Sequence, residues 1–138
     1  MFADVALSVS MRLTVNVPAN IVDNTITYTV NPAMTSTLTA SNNPIDVGQT
    51  QLVTAGSIGG TANFNYNILV YNSIGLVTSS NSAFISGTSN TFTFSQSSSW
   101  GIGTFTVNLI LTDSATSANM VHNTITYTVN PAMTSTPP

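Results

Sequence analysis

The chain has 138 residues, of which 42% are hydrophobic and only 4% charged, against about 25% charged residues in an ordinary domain. A packed core is within reach, which argues against disorder, and the single cation, Arg12, cannot make the basic patch that a nucleic-acid backbone needs. Asp4, Asp23, Asp46 and Asp113 are the only acids, so Thr, Ser and Asn must supply the polar surface, pH should act weakly on stability, and charge repulsion between copies is nearly absent.

The first residues, Met1–Met11, lack a basic n-region and carry Asp4 inside an apolar stretch, so they read poorly as a signal peptide. No run reaches the roughly 18 apolar residues of a membrane-spanning helix. There is no cysteine, hence neither a disulfide nor a thiolate metal site. Val5, Leu7, Val9 and Met11 alternate with Ala and Ser and predict a strand. A second strand follows a short loop, with Ile26, Tyr28 and Val30 on its apolar face.

That second strand opens a repeat. Fourteen residues, Asn24–Thr37, recur unchanged at Asn123–Thr136, a spacing of 99 residues, which suits one immunoglobulin-like domain. Upstream, Val5–Met11 alternates much as Phe105–Leu111 does. Residues 1–31 therefore read as the last two strands, a β-hairpin, of a partial repeat. Residues 32–37 read as a short semi-rigid linker without glycine, in which Pro32 ends the ladder bonding. Residues 38–130 read as a complete sandwich and 131–138 as a C-terminal linker.

Within 38–130 the period is two nearly throughout. Val53 and Ala55 mark a short strand. Phe64, Tyr66, Ile68 and Val70 alternate with Asn63, Asn65 and Asn67. Further strands follow from Phe92 and Phe94, from Phe105, Val107 and Leu109, and from Ile125, Tyr127 and Val129. Leu109-Ile110-Leu111 interrupts the alternation, which predicts a bulge or burial on both faces. Glycine- and serine-rich stretches at Gly56–Gly60, Ser79–Ser82 and Ser95–Gly103 separate the strands. About seven such strands predict an all-β, antiparallel sandwich of two sheets.

The segment Gly103–Ser114 resembles the penultimate strand of PKD and related immunoglobulin-like repeats, with its Gly-Thr-aromatic start and Thr-Asp-Ser end. Leu38–Gly60, containing Asn43-Pro44-Ile45-Asp46-Val47-Gly48-Gln49, is similar to the first half of such repeats in archaeal and bacterial surface proteins. The Thr/Asn-rich, charge-poor style is similar to tandem repeats of small acidophilic archaea. The position often held by Trp in such repeats carries Phe64 or Tyr66. The resemblance implies an extracellular or cell-surface spacer, adhesin or lattice component.

Candidate sites are few. His122 is the only histidine, its counterpart in the first copy is Asp23, and no Gly-x-Ser-x-Gly elbow accompanies it, so it reads as a solvated loop residue rather than a catalytic base. Asp46 and Asp113 are too scattered for the six to eight oxygens that Ca²⁺ takes, and read as turn caps. Gly56–Gly60 lacks the Lys and helix of a phosphate loop. Trp100, with Phe94 and Tyr71, is the candidate sugar-stacking contact, against the plainer reading of a ring that covers the end of the sandwich. No asparagine lies in an Asn-x-Ser/Thr sequon. No catalytic residue, metal or cofactor is expected.

Natural sheets guard their edges with Lys, Pro or inward charges, and Lys is absent here. That favours a structural repeat subunit of an extracellular filament, stalk or surface layer, self-assembling through β-strand contacts. Val5, Leu7, Val9, Met11, Ile26, Tyr28 and Val30 are its contact residues and a second copy or a neighbouring repeat its partner. An adhesin or carbohydrate-binding module that takes cell-surface glycans is the alternative.

Overall fold

Alternating apolar and polar residues fold as strands with one face inward. A computed structural model describes residues 7–16 and 21–134, and among these it has ten strands. They are β1 (Leu7–Asn16), β2 (Ile21–Val30), β3 (Thr35–Ala40), β4 (Ile45–Asp46), β5 (Thr50–Ile58), β6 (Phe64–Tyr71), β7 (Leu76–Ile85), β8 (Ser89–Ser95), β9 (Gly103–Asp113) and β10 (Met120–Asn130). The only helical element among the described residues is a 3-10 turn at Ser98–Trp100.

Two sheets make a β-sandwich. One has the order β3-β5-β8, the other β4-β10-β9-β6-β7. All pairings are antiparallel except β4 with β10. The chain crosses from one sheet to the other between β3 and β4. β1 and β2 form a separate antiparallel pair.

The core follows the alternation closely. On β6, Phe64, Tyr66, Ile68 and Val70 are buried while Asn65, Asn67, Leu69 and Tyr71 are half-buried on the outer face. On β9, Phe105, Val107, Leu109 and Leu111 are buried, and the register sets Tyr66 beside Leu111, Ile68 beside Leu109 and Val70 beside Val107. Leu38, Val53, Ala55 and Phe94 face them from the three-stranded sheet. Each fully buried side chain of this size contributes about 1.5–3 kcal/mol.

Most polar side chains inside the sandwich find partners, although among the described residues Asn65 Oδ1 and Gln96 Nε2 are buried without one. Gln51 Nε2 donates to Asn42 O at 2.7 Å, and Gln51 Oε1 accepts from Asn42 N and Leu52 N. The Tyr66 hydroxyl donates to Gly87 O at 3.0 Å and meets Ser57 Oγ at 2.9 Å. Tyr127 donates to Gln96 Oε1 at 2.9 Å. Burial pushes both tyrosine hydroxyls above their ordinary range, more than their side-chain hydrogen bonds pull them down.

Several local expectations change. The register of β9 runs unbroken past Ile110 on both sides, so Leu109–Leu111 is not a bulge; of the two expectations, burial on both faces is the nearer, with Ile110 half-buried on the outer face. The irregularities lie instead between β6 and β7, at Asn65/Asn67 and at Val70/Tyr71. His122 is a strand residue, not a loop residue, and stands exposed on β10 opposite Ile110. Gly56 belongs to β5, paired with Thr37 and Ser89, and it is the residue that fits there because a side chain would run into Thr37 Oγ1 across the sheet. The first strand extends well past Met11, to Asn16.

Candidate assembly surface at the repeated segment

The repeated segment has one sequence and two environments. In its second copy, on β10, Tyr127 is 1% exposed and Val129 2%, and Tyr127 packs on Phe105 with ring centroids 5.6 Å apart. In its first copy, on β2, every residue from Ile21 to Val30 is exposed, with Ile26 at 60%, Tyr28 at 47% and Val30 at 40%. The downstream half reverses the pattern: Met34 is 8% exposed and Met133 is 91% exposed. Each copy is thus buried in one half and bare in the other.

The register of the hairpin sorts most of its residues by polarity, with Leu13 opposite Asn24 and Asn16 opposite Ile21 as the exceptions. Leu7 pairs with Val30, Val9 with Tyr28, Met11 with Ile26 and Val15 with Val22. Between them, Ser8 pairs with Thr29, Ser10 with Thr27 and Arg12 with Thr25. Val9 opposite Tyr28 matches Phe105 opposite Tyr127. The counterpart of Phe105 is therefore Val9, not Val5, which lies outside the described residues. Leu7, Val9 and Met11 are placed by this backbone register.

The peptide joining hairpin and sandwich is clamped. Asn31 Nδ2 donates to Thr61 Oγ1 at 2.9 Å, and Gly60 N donates to Pro32 O at 2.8 Å. Met34 enters the core, and Thr35–Thr37, expected as linker, are already strand because they pair with Gly56–Ile58 of β5. The turn that holds the peptide needs its glycines. Gly59 and Gly60 have φ of +73° and +72°, and a Cβ at Gly59 would collide with Ala33 O and lie 2.8 Å from Pro32 O.

Asp113 pins the same turn from beneath. Its fully buried carboxylate accepts from Thr61 N at 3.0 Å, Ala115 N at 3.3 Å, Asn119 N at 2.7 Å and Asn119 Nδ2 at 2.9 Å. Burial alone would raise its pKa, but the hydrogen bonds outweigh that and hold the carboxyl below its ordinary range. Asp46 sits on β4, where its backbone N–H donates to Gln49 Oε1 at 2.9 Å.

Trp100 closes one end of the sandwich. Its ring stands 5.9 Å from that of Phe94, and its carbonyl accepts from Asn72 Nδ2 at 2.9 Å. Phe94 is buried and Tyr71 lies on the outer face of the other sheet. The three rings therefore do not form one stacking platform, because strand alternation sends them to different sides. What sequence reasoning missed is a shallow outer-face groove of about 290 Å³, lined by Leu69, Tyr71, Asn108, Ile110, His122 and Thr124. Thr124 Oγ1 donates to Asn108 Oδ1 across it at 2.9 Å. The runs Ile68–Tyr71 and Leu109–Leu111 were its visible signals, since Leu69 and Ile110 put apolar side chains on an outer face otherwise rich in Thr and Asn.

Among the described residues no three His, Cys, Asp or Glu side chains gather as a metal site, and no helix is long and apolar enough to cross a membrane. No protein-family model matches the chain, and no curated protein matches it either.

Proposed function

We propose that this protein is a non-catalytic structural repeat of an extracellular assembly, a filament, stalk or surface layer, joined through β-strand contacts made by residues 1–31. The observation that carries the reading is that one sequence, Asn24–Val30, is bare where its duplicate, Asn123–Val129, lines a core. An isolated two-stranded hairpin is marginal in water. Ile26, Tyr28 and Val30 are 60%, 47% and 40% exposed, so covering what remains of them is worth roughly 2–5 kcal/mol, on the scale of about 1.5–3 for each fully exposed side chain. The strand order, three strands against five with β3 and β4 on opposite sheets, is what supports reading the sandwich as an immunoglobulin-like unit. The clamped junction suits a spacer that must keep its form under load.

The test is the triple variant Ile26→Asn, Tyr28→Asn, Val30→Asn. The parent chain should form oligomers whose mass grows with concentration in light scattering, and the variant should be monomeric with an unchanged melting temperature. A parent that stays monomeric at every concentration, or a variant that assembles as the parent does, overturns the reading.

The outer-face groove favours a second reading, a glycan-binding module. Tyr71 and Leu69 offer apolar faces there, and Asn108, His122 and Thr124 offer hydrogen-bonding groups. Chemical-shift changes confined to Tyr71, Asn108 and His122 on adding oligosaccharides would establish it.

A further inference from the structure

The repeated segment is complementary to itself. In the sandwich, the second half of its first copy lies against the first half of its second copy: β3 packs across β10. Met34, Tyr127 and Val129 belong to one buried cluster, and Asn123 Nδ2 donates to Ser36 Oγ at 3.1 Å and to Ser36 O at 3.4 Å. One tail and one strand are thereby satisfied. The other tail and the other strand remain. Asn24–Val30 is exposed along its length, and Pro131–Thr134 is exposed as well. These leftovers have the same sequences as the bound pair.

We infer that the leftover tail of one molecule seats on the leftover strand of a second copy of this chain. Met133 then takes, against Tyr28 and Val30, the place that Met34 holds in the cluster with Tyr127 and Val129. Asn24 meets Ser135 as Asn123 meets Ser36. Nothing already bound has to be displaced, so the contact adds buried apolar surface at both ends. The two surfaces differ and share no residue, so the contact is heterologous, leaves one surface of each kind unused at each step, and propagates. The recognition uses apolar side chains and neutral hydrogen bonds, with Arg12 as the only cation in the chain, so salt should change it little.

The inference rests on the assembly reading above and names its partner surface. The chain has no native cysteine, which makes thiol cross-linking specific. The single variants Asn24→Cys and Ser135→Cys are mixed and treated with a short bis-maleimide, and the double variant is treated in parallel. A chain carrying Asn123→Cys and Ser36→Cys calibrates the reach, since that pair is the one observed in contact. The expected result is a dimer only in the mixture and a ladder of oligomers from the double variant, in high as in low salt, with residues 24 and 135 linked in the mass spectrum. If Asn24→Cys links to itself as well as to Ser135→Cys, the hairpins cover each other and the inference is wrong. A double variant that closes on itself as a monomer also overturns it. If the chain assembles and the Ile26/Tyr28/Val30 variant does not, yet no 24–135 product forms, the hairpin is an assembly surface with a different occupant. In that case this inference alone fails. A chain that never assembles takes the wider reading with it.

Discussion

At the scale of single residues, Asp113 and two tyrosines set the pH response. The folded pKa of Asp113 lies below its ordinary value of 3.8, so its contribution is fully present above that value and is lost as pH falls through the lower folded one. Tyr66 and Tyr127 lie above their ordinary value of 10.0, so theirs is present below that value and is lost as pH rises. Denaturant titrations should show a plateau between about pH 4 and 10 with a fall on either side, and Asp113→Asn should remove most of the acid fall. That substitution puts an amide donor among four donor contacts, at a cost on the order of 2–4 kcal/mol. Gly59→Ala should cost about 2–4 kcal/mol, since it combines a positive φ with a collision against the junction backbone, and a melting temperature reads it directly. The sequence showed Asp113 as a turn residue but not as a buried one. Its partner Thr61 is 52 residues away, and only the closed sandwich brings the two together.

At the scale of elements, the duplicated strand is an internal control, because one substitution can be made twice. Tyr127→Ala removes a buried ring and its hydrogen bond to Gln96, and should lower unfolding stability by about 3–5 kcal/mol. Tyr28→Ala removes the same ring from an exposed strand. It should change monomer stability by less than about 0.5 kcal/mol while weakening self-association. Equal losses at the two positions would contradict the difference in environment. Strands of clear alternation, such as β8 and the second half of β10, were legible because period two survives only where one face is buried. Two features were not. Arg12 masked the continuation of β1, although Leu13 and Val15 keep its rhythm to Asn16. Leu109–Leu111 suited a bulge and burial on both faces equally well, and only the fold decides between them, with an unbroken register and Ile110 half-buried on the outer face.

At the scale of the whole molecule, the fold leaves edges with little charge to protect them: among the described residues of the two sheets' edge strands, Asp46 on β4 is the one charged side chain. β10 is covered on its outer side only by the two-residue β4, and β7 and β8 each end a sheet. With a formal net charge of only −3, copies approach one another at little electrostatic cost. The repeat was the most legible feature in the chain, and its length already pointed to a unit of immunoglobulin size. Which half of each copy would be covered was not legible, since burial depends on strands that only the fold supplies.

The most direct measurement is hydrogen exchange of the two copies across a concentration series. Peptides that include Asp23 or His122 tell the copies apart, and their shared residues have the same intrinsic exchange rates. At low concentration β2 should exchange far faster than β10. As concentration rises, protection in Asn24–Val30 should climb toward that of Asn123–Val129, together with the mass of the particles. Rapid exchange in Asn24–Val30 at every concentration, with β10 protected throughout, would contradict the account.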